Sequence, residues 1–197
     1  QLVKAGVSVV VFDKGRGIGG RVATRRAGHL QFDHGAPFVR AQRDDFSALL
    51  ASLTVDGSAM PWTDDKGVTW TVGSPGMSAI PKAMGVGLDV RLGTQILKVN
   101  ADQSGWHLHY DETEYVATHI VVTVPKPQIA GLLGYTHPLI PQIADVKMEP
   151  GLTLMATVTG TTPSITPFLP DDPLALITCD SSKPNRPLNE SSSWVAQ

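Results

Sequence analysis

The apolar positions of this chain change their period several times, and each change predicts a different element. VSVVVFD, Val7 to Asp13, is a short run rich in β-branched residues, the pattern of a strand buried on both faces of a parallel sheet. QLVKAG before it reads as the last turn of a helix closed by Gly6, so the chain is expected to begin inside a fold. A Gly-rich loop follows the strand. DDFSALLASL then places Phe46, Leu49, Leu50 and Leu53 at i, i+3, i+4 and i+7 behind two acidic residues, which predicts an amphipathic helix. GVTWTVG alternates as a strand does, and PGMSAIPKAMG predicts a short helix opened by Pro75 and Gly76.

From Leu88 the pattern becomes strand, turn, strand. DVRLGTQILKVNA, GWHLHYD and EYVATHIVVTVP predict a meander with polar turns between them. Helices are expected around PQIAGLLG and PLIPQIADV, and GLTLMATVTG predicts another strand. Pro163, Pro167, Pro170 and Pro173 mark a loop before LALITC, and the Ser-, Asn- and Pro-rich residues from Asp180 to Gln197 read as a surface excursion.

Composition adds little to this until charge is located. The 197 residues are 42% hydrophobic and 17% charged, with net charge -2, the balance of an ordinary globular protein. Lys14, Arg16, Arg21, Arg25 and Arg26 stand against Asp13 alone, so Asp13 to Arg26 carries +4 and the remainder -6. That asymmetry predicts a local anion rather than a polyanion spread over the surface. Cys179 is the only cysteine, which excludes an internal disulfide and a multi-cysteine zinc site and fits a reducing, cytoplasmic setting. No apolar run reaches the roughly 18 residues of a membrane span.

The loop FDKGRGIGGRVATRR has the parts of a dinucleotide site. An acid at the end of a parallel strand, here Asp13, accepts hydrogen bonds from an adenosine ribose and favours NAD or FAD over NADP. Gly17, Gly19 and Gly20 let backbone approach a ligand, and Arg21 offers phosphate a planar fork of donors. The alternative is a basic surface loop whose glycines only make turns. The G-x-G-x-x-G turn that precedes such an acid by about 20 residues is not among the 12 residues before Asp13, so the first strand and most of the first helix are expected to lie before Gln1.

These residues resemble the D/E-K-x4-G-G-R segment of the flavin-containing amine oxidase superfamily, and most closely its renalase-like bacterial branch. Further segments follow in order: LQFDHGAPF resembles D-x-G-A-Q-Y, PGMSAIPKAM resembles P-G-M-S-x-I, HIVVTVPKPQ a strand-to-Pro crossing, VKMEPGLTLMATV resembles V-K-M-x-P, and SSKPNRP resembles S-K-P-x-R. The resemblance implies an α/β chain with a three-layer ββα Rossmann-like fold that binds FAD, interleaved with a substrate-domain sheet and incomplete here. It implies FAD-binding portions over 1–45 and 86–135 and substrate-domain portions over 46–85 and 136–197. It places Asp13 and Lys14 by the adenosine ribose within the cationic loop that also holds Arg16, and Gly19, Gly20 and Arg21 by the diphosphate. His34, Gly35 and Ala36 approach the flavin end through their backbone, Ile96 lines the adenine pocket, and Pro125 lies near it. Pro37 and Phe38 stand where the family has Gln and Tyr, so no side-chain hydrogen bond to the flavin is expected from either.

The activity this implies is oxidation of dihydro-NAD(P) isomers to NAD(P)+, with oxygen as acceptor and peroxide as product. The flavin carries the chemistry, so no catalytic side chain is assigned. Alternatives are an amine oxidase or desaturase on the same scaffold, or a non-catalytic nucleotide-binding remnant. His107 and His109 share a strand face and read as a solvated face rather than metal ligands, His34 as a backbone contributor or a structural histidine, and Trp62 and Trp70 as core aromatics or a wall over a flat substrate. The serines lack nucleophile-elbow spacing, and the basic loop lacks the interleaved aromatics of a nucleic-acid surface.

Overall fold

The computed structural model describes residues 1–160, 175–187 and 190–197. A 3-10 turn, Val3–Ala5, precedes strand β1 (Val10–Asp13), and a second, Gly20–Val22, precedes β2 (Arg25–Ala27) and β3 (Leu30–Phe32). Helix α1 (Asp44–Val55), strands β4 (Ala59–Thr63) and β5 (Thr69–Gly73) and helix α2 (Ala79–Met84) follow. Then come β6 (Asp89–Leu92), β7 (Lys98–Asp102), β8 (Gly105–Tyr110), β9 (Thr113–Ala117), α3 (Lys126–Leu133) and α4 (Leu139–Gln142). The described chain closes with β10 (Leu154–Thr159), β11 (Ile177–Cys179), a 3-10 turn at Asp180–Ser182 and β12 (Ser191–Ala196). Two compact units result: Gln1–Gly17 with Leu88–Pro150, and Ile18–Gly87 with Gly151–Gln197.

In the first unit β1 runs parallel to β6, from Val10 opposite Asp89 to Asp13 opposite Leu92. Gly6 closes the preceding turn with φ +80, as its sequence predicts. Burial on both faces is not found: Val11 is 36% exposed, and β6 is the one strand that pairs with β1 among the described residues. DVRLGTQILKVNA also differs from the expected single strand. Gly93 takes φ +66, a left-handed conformation that ends β6 beside β1 and releases β7 into the antiparallel meander β7-β8-β9. The last expected strand stops at Ala117, opposite Trp106 and one residue short of the start of β8 at Gly105. Phe12 of β1 joins the parallel pair to the meander, its ring centroid 5.6 Å from Tyr110 and 5.3 Å from Tyr115, with Arg91 over both Phe12 and Tyr115.

The second unit holds the main apolar core. Leu50 and Leu53 of α1 are buried, with Phe46 and Leu49 packed beside them as the helical spacing predicts, against Ala59, Trp62, Val72, Met77 and Ile80. Strand β4 was not foreseen, because Pro61 interrupts AMPWT. A two-stranded hairpin tolerates that proline, since one side of the strand needs no ladder donor. Trp62 faces Trp70 in the register; Trp62 lies in the core and Trp70 packs on Phe38 with centroids 4.1 Å apart.

The end of the chain corrects the surface-excursion reading. Ser191–Ala196 is the central strand of the antiparallel sheet β10-β12-β11, with Ser192, Ser193 and Val195 buried. Its serines are small enough for a packed interior, and they are paired there: Ser192 Oγ donates to Val158 O at 3.2 Å, and Ser193 N–H to Ser181 Oγ at 2.7 Å. The expected loop at Pro163, Pro167, Pro170 and Pro173 lies outside the described residues.

On the meander, His107 sits between carboxylates, its Nε2 3.0 Å from Asp102 Oδ1 and its Nδ1 3.0 Å from Glu114 Oε1, while His109 Nε2 is 2.7 Å from Asn100 Oδ1. Among the described residues no cluster of His, Cys, Asp or Glu can hold a metal. The hydrogen bonds to Asp102 and then Glu114 hold His107 above its ordinary value of 6.5. A group raised on folding contributes stability that is complete below its unfolded value and lost as pH rises through the folded one. His107→Gln is therefore expected to lower stability most below about pH 6.5 and progressively less at alkaline pH, as read by denaturant midpoints across pH.

Candidate functional site

In the first unit, Asp13 ends β1 and folds its own loop. Its Oδ1 accepts the Gly15 N–H at 2.8 Å, its backbone carbonyl accepts from Thr94 N–H at 3.0 Å, and Gly93 N–H donates to Gly15 O at 2.9 Å. The turn after β1 is thereby tied to the segment after β6 that carries Ile96. That residue lies two positions before β7 rather than inside a strand. Lys14 Nζ donates to Gln128 Oε1 at 3.3 Å, on the first turn of α3, whose N-cap is Pro125. Asp13 and Lys14 are thus tied to the segments that carry Ile96 and Pro125, through Thr94 and Gln128 respectively. Arg16 is exposed and has no ion pair among the described residues.

In the second unit, two sequence-distant segments form one backbone cradle. Ala36 N–H donates to Arg21 O at 2.8 Å, so the His34 to Ala36 segment lies against the turn at Gly20–Val22. Gly35 makes that approach possible: a Cβ there would stand 2.1 Å from Arg21 O. Its partners on the other side are side chains, with Gln197 Nε2 donating to Gly35 O at 2.7 Å and Thr153 Oγ1 to His34 O at 3.4 Å. Gly20 has φ +52 and a Cβ direction open to solvent, and Arg21 is exposed, its guanidinium in no hydrogen bond with a described residue. An open glycine turn beside an uncommitted guanidinium suits an anionic ligand, and Asp13 has a second carboxylate oxygen to accept from hydroxyls. The glycine turn of the second unit thus suits a diphosphate, and the Asp13 carboxylate of the first suits a ribose, each taken by itself.

Sequence reasoning missed the carboxylate on which this cradle is built. Asp33 is fully buried at the end of β3. Its Oδ1 accepts from Thr24 Oγ1 at 2.7 Å and from Met77 N–H at 2.9 Å, while its Oδ2 lies 2.6 Å from Arg186 Nη2 and 3.1 Å from Lys183 Nζ. Lys183 also contacts Asp180 Oδ1 at 2.5 Å, and Asp180 Oδ2 accepts the Asp33 N–H. Arg186 continues to Gly73 O at 3.0 Å. Burial alone would raise Asp33, but Lys183 and Arg186, with the Met77 amide and Thr24 hydroxyl, outweigh it and hold the group below its ordinary value. Asp180 moves the other way, raised by burial more than Lys183 lowers it. The signal was available: Asp33, Met77, Lys183 and Arg186 all sit in the segments LQFDHGAPF, PGMSAIPKAM and SSKPNRP.

The glycines separate packing from ligand approach. Gly35→Ala is expected to lower stability by about 1–3 kcal/mol or more, because the added methyl drives the backbone off Arg21. Gly20→Ala meets open space and is expected to cost about 1–2 kcal/mol, from its left-handed φ alone. Denaturant unfolding of the two variants measures the difference.

Residues 1–53 match the NAD(P)-binding Rossmann-like domain family, and residues 56–160 match the flavin containing amine oxidoreductase family. Among solved structures, a protein of Pyrococcus furiosus aligns over 99% of this chain and 74% of its own, at 11% identity and TM-score 0.74. A putrescine oxidase variant aligns over 99% and 71%, at 13% identity and TM-score 0.68, and an oxidoreductase of Methanosarcina mazei over 99% and 74%, at 11% and 0.64. Those structures share the expected α/β, Rossmann-like fold. The family match covers more than half of the chain, which therefore belongs to the flavin-containing amine oxidoreductases and is an FAD-dependent oxidoreductase.

Proposed function

We propose that this chain acts as the renalase-like members of its family do, oxidising dihydro-NAD(P) isomers with oxygen. In balanced form, a misreduced dihydronicotinamide, a proton and O2 give NAD(P)+ and hydrogen peroxide. FAD supplies two-electron redox chemistry when bound, and the protein's part is to bind, orient and shield. Asp13 accepts from the adenosine ribose with Lys14 and Arg16 nearby, Ile96 and Pro125 border the adenine, Gly19, Gly20 and Arg21 take the diphosphate, and the His34, Gly35 and Ala36 backbone meets the flavin end. Residues 1–45 and 86–135 serve the cofactor, and 46–85 and 136–197 cover a small-molecule substrate. The setting is cytoplasmic, without nucleic acid or membrane; no helix among the described residues is long and apolar enough to cross a bilayer.

One observation carries the narrower reading. Three of the segments that resemble the renalase-like branch, far apart in sequence, are joined by hydrogen bonds and ion pairs around Asp33. The second reading is an amine oxidase, favoured by the family match over residues 56–160. Peroxide production is the deciding assay: turnover of 2- and 6-dihydro-NAD(P) without turnover of primary amines or polyamines supports the proposal, and the reverse pattern supports the amine oxidase. Within either reading, Arg21→Ala is expected to weaken FAD binding by roughly ten- to a hundred-fold, the loss of one charge-assisted contact, as measured by flavin titration.

A further inference from the structure

Four ionisable side chains are buried together next to the His34 to Ala36 segment, and stability alone does not account for them. Asp33, Asp180, Lys183 and Arg186 are each at most 7% exposed. An apolar replacement of such a group is often neutral or stabilising, because desolvation offsets most of the Coulombic gain. What apolar side chains cannot supply is direction. A carboxylate held from Thr24 and Met77 on one oxygen and from Lys183 and Arg186 on the other has a single position.

That position is passed directly to the backbone that follows. Asp33 N–H is held by Asp180, the His34 and Gly35 carbonyls by Thr153 and Gln197, and Ala36 N–H by Arg21 O. A shift at Asp33 moves the start of this tethered run, and Gly35, with no room for a Cβ against Arg21, leaves little slack. We propose that Asp33 is a positioning residue for the flavin: through Thr24, Lys183 and Arg186 it sets the His34 to Ala36 backbone against which the flavin ring rests. The inference rests on the assignment of that backbone to the flavin end.

The test compares the intact wild-type protein with Asp33→Asn, Thr24→Val and Leu53→Ala. Leu53 lies in the apolar core and outside the cradle, so it controls for destabilisation as such. Each protein is titrated with FAD at a temperature where circular dichroism shows it folded, and the visible band of the bound flavin is recorded. Asp33→Asn is expected to weaken FAD by about tenfold or more, as outer-shell partners of bound metals do, and to change the band's shape. Thr24→Val is expected to do both to a smaller degree, and Leu53→Ala neither. Wild-type affinity and band shape in folded Asp33→Asn and Thr24→Val overturn the inference alone, and if Asp33→Asn does not fold, Thr24→Val decides by the same readings. Failure of the wild-type protein to take up FAD overturns both the inference and the reading beneath it.

Discussion

A carboxylate removed from water must find compensation on both oxygens, and in this protein that requirement organises a whole unit. Asp33 meets it with a hydroxyl, a backbone amide, an ammonium and a guanidinium drawn from separate stretches of chain. The stretch after β3, the entry to α2 and the loop after β11 are thereby fixed to one another. Thr24 extends the hub, accepting from Ser78 N–H at 3.1 Å, and Arg186 extends it to the end of β5. The remaining ionisable partner, Asp180, pairs with Lys183 and receives the Asp33 amide, so two acids and two bases are buried together.

The two candidate neighbourhoods achieve ligand access by different means. Around Asp13 the loop is shaped by an acid that caps its own turn and still keeps an oxygen available. Around Arg21 it is shaped by glycines, one pressed against backbone at position 35 and one open at position 20, and the guanidinium has no hydrogen bond to a described residue. Neither neighbourhood needs a titrating acid or base at its surface. Both suit a cofactor that brings its own chemistry and asks the protein for placement.

Much of this was legible in the sequence, for physical reasons that differ by element. The apolar spacing of Phe46, Leu49, Leu50 and Leu53 had one solution, a helix on a core, and the structure has it. Asp13 at the end of a β-branched run also lies where strand and loop chemistry place it. Periodicity failed where a single residue decided the outcome, as at Gly93, which divides β6 from β7, and at Pro61, which hid β4 inside a hairpin that accepts it. It failed again at β12, where buried serines satisfied by hydrogen bonds look from composition like a loop. Asp33 was hidden from local pattern because its partners lie as far as 153 residues away, and only the ordered segments that hold them pointed to it.

The most direct measurement of the central claim is the visible absorption spectrum of the purified protein after incubation with FAD and removal of the excess, followed by release and chromatography of what remains bound. A yellow protein that releases FAD is the predicted result. A colourless protein with no retained flavin would contradict the account of the Asp13 and Arg21 loops as a cofactor site.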